Sequence, residues 1–237
     1  MHWTCAICAM QTIGERRGAE GVCTFKLNNM ISRIRDWAVK CHKDTNHLYD
    51  DYLPYEFHLR MVVDVAYRYM HLGAANKEYT IEKASKGISF ADPTPSIIIC
   101  ACWCHDLIED ARINYNSMLE YSKKAVMSSY VPIGFGDIGE RSRAIADIVY
   151  AVSNEKGKNR AERESDKYFE GIRNTEHATF VKLCDRIANI EYSKMTERES
   201  GGKLEMYRKE YPRFYQQLCD EKYRQMFDYI EDILIAK

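Results

Sequence analysis

The 237-residue sequence predicts an all-α helical bundle folded as a single domain. Apolar residues recur at three- and four-residue spacing in one segment after another, the period of a helix with a single buried face. No stretch alternates at period two, which is the mark of a half-buried strand. Five prolines and twelve glycines leave room for long helices. At 46% hydrophobic and 29% charged residues, the composition is that of a globular domain and excludes a disordered or collagen-like chain. No repeat, low-complexity tract or composition shift divides the chain. Residues 1–24 are set apart as an N-terminal extension, and 25–237 form the domain.

Phe25 to Lys43 places Leu27, Met30, Ile31, Ile34, Trp37 and Ala38 on one stripe. Glu56 to Leu72 repeats the pattern with Leu59, Val62, Val63, Ala66 and Met70, and Gly73 follows where a helix cap belongs. Ser96 to Asp110, opened by Pro93 and Pro95, is apolar enough for a buried strand but too long for one, so a buried helix is expected. Further helical patterns run near 113–127, 140–152, 159–171, 176–195, 203–219 and 220–235. Val131 to Gly139 and Ser153 to Lys158 are polar and glycine-bearing, hence loops.

Thirty-four basic residues balance thirty-five acidic ones, leaving a net charge of −1. Such a chain has no overall field to hold a nucleic acid stably, so anion binding must come from a local cluster. Nine cysteines show no disulfide framework, and Cys100, Cys102 and Cys104 crowd one apolar run. They read as reduced, core-packing thiols of a cytoplasmic protein. That run is about half the length of a membrane span, and the first ten residues lack the basic start of a signal peptide. Cys5 and Cys8 have no further pair at zinc-site spacing.

The sharpest chemical feature is Cys104-His-Asp-Leu-Ile-Glu-Asp110. On a continuous helix His105 lies over Glu109 and Asp106 over Asp110, one turn apart. Three acids at a helix C-terminus oppose its dipole, and a bound cation would relieve them. A solvated helix end is the plainer alternative. His58 falls among core-facing positions of its helix, where a histidine can simply be packed. Asp185 lies between Leu183, Ile187 and Ile190, where a carboxylate is costly unless paired, with Lys182 or Arg186 as the plain partners.

Together, His58, His105-Asp106 and Asp185 resemble the H…HD…D signature of the HD superfamily of metal-dependent phosphohydrolases. The spacings are forty-seven and seventy-nine residues. Further elements are similar to those of the alarmone (ppGpp) hydrolases, the hydrolase domain of the bifunctional ppGpp synthetase/hydrolases and their small single-domain relatives. His105-Asp-Leu-Ile-Glu-Asp110 resembles their HDxxED element, and Pro54-Tyr-Glu-Phe-His58 their P-Y-x-x-H entry. Val181-Lys-Leu-Cys-Asp-Arg-Ile-Ala-Asn189 resembles their V-K-L-A-D-R-x-x-N element. The likeness covers roughly residues 40 to 220.

The resemblance implies an HD-domain bundle in which His58, His105, Asp106 and Asp185 hold one divalent ion. Mixed imidazole and carboxylate ligands suit Mn²⁺ best, with Fe²⁺ or Zn²⁺ as substitutes. It implies Glu109 and Asp110 as the catalytic pair that positions water and takes its proton. The substrate would be a small nucleotide losing its 3′-pyrophosphate, with no stable nucleic-acid or membrane partner. Lys156, Lys158, Arg160 and Arg163, the densest basic cluster in the chain, are expected to meet the pyrophosphate. Tyr207 is expected to stack on a base or ribose, unless it is a surface aromatic. His47 stands where these hydrolases carry a basic guanine-contacting residue, a departure from their pattern. The alternatives are a nucleotidase or phosphodiesterase of the same superfamily, and a regulatory domain that binds metal or nucleotide without turnover.

Overall fold

Helices fill the computed structural model, which describes residues 19–74, 94–128, 137–154, 157–196 and 202–235. In chain order they are α1 (Ala19–Asp44), α2 (Glu56–Gly73), α3 (Thr94–Cys104), α4 (Leu107–Asp110), α5 (Tyr115–Ser128) and α6 (Ile138–Val152). Then follow α7 (Arg160–Arg163), α8 (Asp166–Asn174), α9 (Ala178–Met195), α10 (Lys203–Leu218), a 3₁₀ turn (Glu221–Tyr223) and α11 (Arg224–Ile235). The all-α class holds. No helix among the described residues is long and apolar enough to cross a membrane. The boundary drawn at 24/25 falls inside α1, and Cys5 and Cys8 lie outside the described residues.

Two helices form the centre, α3 because its sequence leaves no polar face and α9 because it is enclosed by its neighbours. In α3, every residue from Ser96 to Cys104 is buried, including all three cysteines. α9 is buried on nearly every side and packs against α2, α3, α6, α8, α10 and α11. A helix apolar all round belongs in a core, yet α9 also buries Lys182, Asp185 and Arg186. Close approach seats α2 on this centre. A Cβ on Gly73 would stand 3.1 Å from the Phe180 ring and 3.2 Å from Ile98, so only glycine fits without displacement.

Three local features depart from the sequence expectation. The helix expected over 96–110 breaks after Cys104. Cys102's carbonyl accepts a hydrogen bond from His105 Nδ1 at 2.9 Å, the chain turns through His105 and Asp106, and α4 restarts. α4 is a single turn, so Glu109 and Asp110 do not close the long helix expected here, and no long-helix dipole opposes them. The helix expected over 159–171 is likewise split, because the Ser165 hydroxyl accepts from Tyr168 N and starts α8 afresh.

The third departure is a small antiparallel hairpin ahead of α2, pairing β1 (Leu48–Tyr49) with β2 (Leu53–Pro54). Two-residue strands are too short to show alternation. Asp50 and Asp51 turn the hairpin at positive φ of 52° and 69°, a conformation that short polar side chains tolerate. Its Tyr49 ring lies flat on His58, with centroids 4.8 Å apart.

Candidate metal centre

His58 comes from the first turn of α2, His105 and Asp106 from the α3–α4 turn, and Asp185 from the middle of α9. These elements bring their ligating atoms to one point. His58 Nε2 is 3.2 Å from His105 Nε2 and 3.3 Å from Asp185 Oδ1, and His105 Nε2 is 3.6 Å from Asp185 Oδ1. Asp106 Oδ2 completes the group, 2.8 Å from His105 Nε2 and 3.5 Å from His58 Nε2. Both histidines and Asp185 are buried.

The donor set fits a metal ion. Ligands about 2.1 Å from a cation stand about 3.0 Å apart at an octahedral edge and about 3.4 Å at a tetrahedral one, and the observed separations span those values. A carbonyl can only accept, so His105 Nδ1 carries a proton toward Cys102, and Nε2 is the nitrogen that faces the cluster, where a metal ion would displace its proton. Asp185 is held from two sides. Asn189 Nδ2 donates to Oδ1, and Lys182 Nζ lies 3.2 Å from Oδ2. Tyr49 Oη in turn donates to Asn189 Oδ1 at 3.0 Å. The buried group His58, His105 and Asp185 can thus hold a metal ion.

Charge makes the same demand. Burial alone would lower the His105 pKa, but Asp106 and Asp185 beside it hold the imidazole well above its ordinary value. Burial alone would raise both carboxylates, yet His105 and His58 hold Asp106 well below its ordinary value, and Lys182 followed by the two histidines does the same for Asp185. A bound cation would take over the role those ring protons play here.

His58, Asp106 and Asp185 of the cluster line a cavity of about 160 Å³, with His105 packed behind them. Around it stand Glu109 and Asp110, with Arg160, Lys182, Arg186 and Tyr207 on the walls. Asn154 grips Glu109 in two places, its backbone N–H donating to Oε1 at 2.7 Å and its Nδ2 to Oε2 at 2.9 Å. Burial, then the nearby Asp106, raises the Glu109 pKa. Tyr55 Oη donates to Asp106 Oδ2 and reaches Asp110 Oδ2 at 3.3 Å, so the two acids share one hydroxyl. Burial and Asp106 raise the Asp110 carboxyl as well. His47 Nδ1 lies 3.8 Å from Asp110 Oδ2, and its ring stacks on Tyr55.

Of the basic cluster, Arg160 lines the cavity, while Lys158 and Arg163 are exposed and stand apart from it. Lys156 lies outside the described residues. Tyr207 is buried, not a surface aromatic, and carries the Arg186 guanidinium 5.0 Å above its ring. The cations at the centre that composition did not single out are Lys182 and Arg186. Both had appeared only as ion-pair partners for Asp185. Lys182 is one, but Arg186 turns to Glu210 at 2.9 Å. Their signal was position: i−3 and i+1 from Asp185 on a helix buried all round. Asn154 carried no signal, since only the fold brings it to Glu109.

No protein-family model matches the chain, and none of the curated proteins or solved structures compared with it is significantly similar.

Proposed function

We propose that the chain is a metal-dependent phosphohydrolase that removes the 3′-pyrophosphate of ppGpp or a related nucleotide, using Mn²⁺ held by His58, His105, Asp106 and Asp185. One observation carries this: two imidazoles and two carboxylates converge beside a cavity that His58, Asp106 and Asp185 line together with Lys182, Arg186 and Arg160. Five carboxylates in that cavity face three Lys and Arg side chains, an excess of two negative charges that one divalent ion would neutralise. An anionic phosphoryl group would then meet the three cations. Bound there, the ion supplies Lewis acidity toward a phosphoryl oxygen and acidifies a water.

The protein's own groups do the rest. Glu109 and Asp110 orient the attacking water, and Glu109, fixed through both oxygens by Asn154, accepts its proton. Arg160, Lys182 and Arg186 offset charge on the phosphoryl oxygens and the leaving pyrophosphate. Water adds to the 3′-linked phosphorus, and the products are GDP and pyrophosphate. Cys41, Cys100, Cys102, Cys104, Cys184 and Cys219 are free, in keeping with a reducing, cytoplasmic setting.

The test is turnover of ppGpp against a panel of nucleotides with Mn²⁺, for wild type and Glu109→Gln. Wild type should release pyrophosphate from ppGpp preferentially. The variant should keep its metal while kcat falls about 10²-fold or more. Turnover of other nucleotides but not ppGpp would move the assignment to another nucleotidase or phosphodiesterase. Metal binding without turnover of any nucleotide would leave the regulatory reading.

A further inference from the structure

The two histidines of the metal centre are held differently. His105 Nδ1 donates to the Cys102 carbonyl, the outer hydrogen bond that a metal-bound imidazole ordinarily makes. His58 is buried as deeply, yet its Nδ1 has no hydrogen-bond partner among the described residues. A ring without that bond is free to turn about its Cβ–Cγ axis unless its faces are held. Tyr49 holds one of them. The two rings lie 10° from parallel with centroids 4.8 Å apart, while Tyr55 and His105 meet His58 edge-on at 5.4 and 5.1 Å.

The same tyrosine reaches the opposite side of the cluster. Its hydroxyl donates to Asn189 Oδ1 at 3.0 Å, and Asn189 Nδ2 donates to Asp185 Oδ1. The direction of this chain is forced. A carboxylate only accepts, so the amide turns Nδ2 to Asp185 and Oδ1 to Tyr49, whose phenol is a donor at neutral pH. Asp185 Oδ1 is also the oxygen that faces both histidines. Tyr49 is itself fixed from outside. Its neighbour Asp50 accepts from Tyr192 Oη at 2.9 Å and lies 3.0 Å from Lys203 Nζ, which ties the hairpin to α9 and α10. The Tyr192 ring meets Tyr49 edge-on at 4.8 Å, and Lys203 Nζ stands 5.8 Å above the Tyr49 ring.

We propose that Tyr49 is the positioning residue of the metal centre, its ring setting the plane of His58 and its hydroxyl, through Asn189, the direction of Asp185. A ring already in plane and a carboxylate already aimed lose less freedom when an ion binds, so the role is read in metal affinity. This inference rests on the metal reading of the cluster and is independent of which nucleotide is hydrolysed.

The test is calorimetric titration of Mn²⁺ into wild type, Tyr49→Phe, Tyr49→Leu, Asn189→Ala and the Tyr49→Phe/Asn189→Ala pair, with a melt of each metal-free protein. Tyr49→Phe keeps the stacked ring and loses one hydrogen bond, so Mn²⁺ should bind on the order of fivefold more weakly. Tyr49→Leu loses the ring face as well and should bind about 10- to 100-fold more weakly. The pair should bind no worse than Asn189→Ala alone, because the hydroxyl acts through that amide. Wild-type affinity in both Tyr49 variants, whatever their metal-free Tm, assigns the residue to packing and overturns the inference. Losses that multiply in the pair also overturn it, since the hydroxyl then acts elsewhere. No Mn²⁺ binding by wild type removes the metal centre and this role together. The graded loss in a protein that hydrolyses no nucleotide upholds the role and rejects the hydrolase reading alone.

Discussion

Asp185 sits among charges on every side: two imidazoles and Asn189 face Oδ1, and Lys182 takes Oδ2. An amide there is a far weaker ligand than a carboxylate. Asp185→Asn should therefore reduce bound Mn²⁺ from about one ion per chain to background and abolish hydrolysis with it. Elemental analysis of both proteins decides the point, and equal metal in each would remove Asp185 from the ligand set. A second buried residue makes a prediction about pH. His42 stacks on Tyr55 at 4.2 Å, its Nε2 has no partner, and burial pulls its pKa down to about 3. The unfolded chain takes up the same proton near pH 6.5. Between those values the unfolded state holds more protons, so stability falls as the solution is acidified, by up to about 1.4 kcal/mol per pH unit. His42→Phe removes that proton site and keeps the stacked ring. Urea unfolding at pH 7 and pH 5.5 should show the wild type losing about 1 kcal/mol more than the variant. Identical losses would place His42's titration outside stability.

At the scale of elements, the site is built where helices stop. The break after Cys104 frees the Cys102 carbonyl to orient His105 and lets Asp106 turn toward α2. The break at Ser165 lets Arg160 lie against Glu164 and Glu210 at the cavity wall. Local spacing showed neither interruption, because each depends on a single side-chain hydrogen bond competing with the helical ladder. The same break sorts the basic cluster. Arg160 lines the cavity and Lys158, two residues earlier, is exposed. Arg160→Ala should lower kcat/KM for a 3′-pyrophosphorylated nucleotide at least tenfold, since one charge-assisted contact is worth ~1.5–3 kcal/mol. Lys158→Ala should stay within about twofold of wild type. Steady-state kinetics on the two variants checks this, and the reverse order would return pyrophosphate binding to the exposed end of the cluster.

Across the whole molecule, the candidate metal ligands join α2, the α3–α4 turn and α9, which share the buried centre. A ligand that binds only the folded chain stabilises it in proportion to the logarithm of its concentration. Mn²⁺ at a hundred times its Kd should add about 2.7 kcal/mol, or a Tm rise of about 5–10 °C for a chain this long. Scanning calorimetry with Mn²⁺ and after chelation reads the shift, which Asp185→Asn should abolish. A wild-type Tm indifferent to Mn²⁺ would mean that the cluster is held by its own ion pairs alone.

The helices themselves were legible from the sequence, because burial of one face leaves a 3.6-residue period that needs no knowledge of the partner. The stripe of α1, the span of α2 and the buried run of α3 all follow from it. His58, His105, Asp106 and Asp185 were legible too, because polar residues on apolar helices are costly unless something meets them. What met them was not legible. That His58 Nε2 stands 3.2 Å from His105 Nε2 depends on how α2 crosses α3, and that Asn154 grips Glu109 depends on where α6 ends. Lys182 and Arg186 had the same ambiguity: a cation beside an acid in sequence is a salt bridge or a cavity wall, and only packing chooses. The sequence by itself determined most of the helices and the His and Asp side chains that are candidates for chemistry, since residue type and periodicity are local properties. The tertiary structure decided which of them meet, because convergence comes from contacts between elements far apart in the chain, 47 residues for His58 and His105 and 45 for Glu109 and Asn154, and no local pattern encodes their angle or distance.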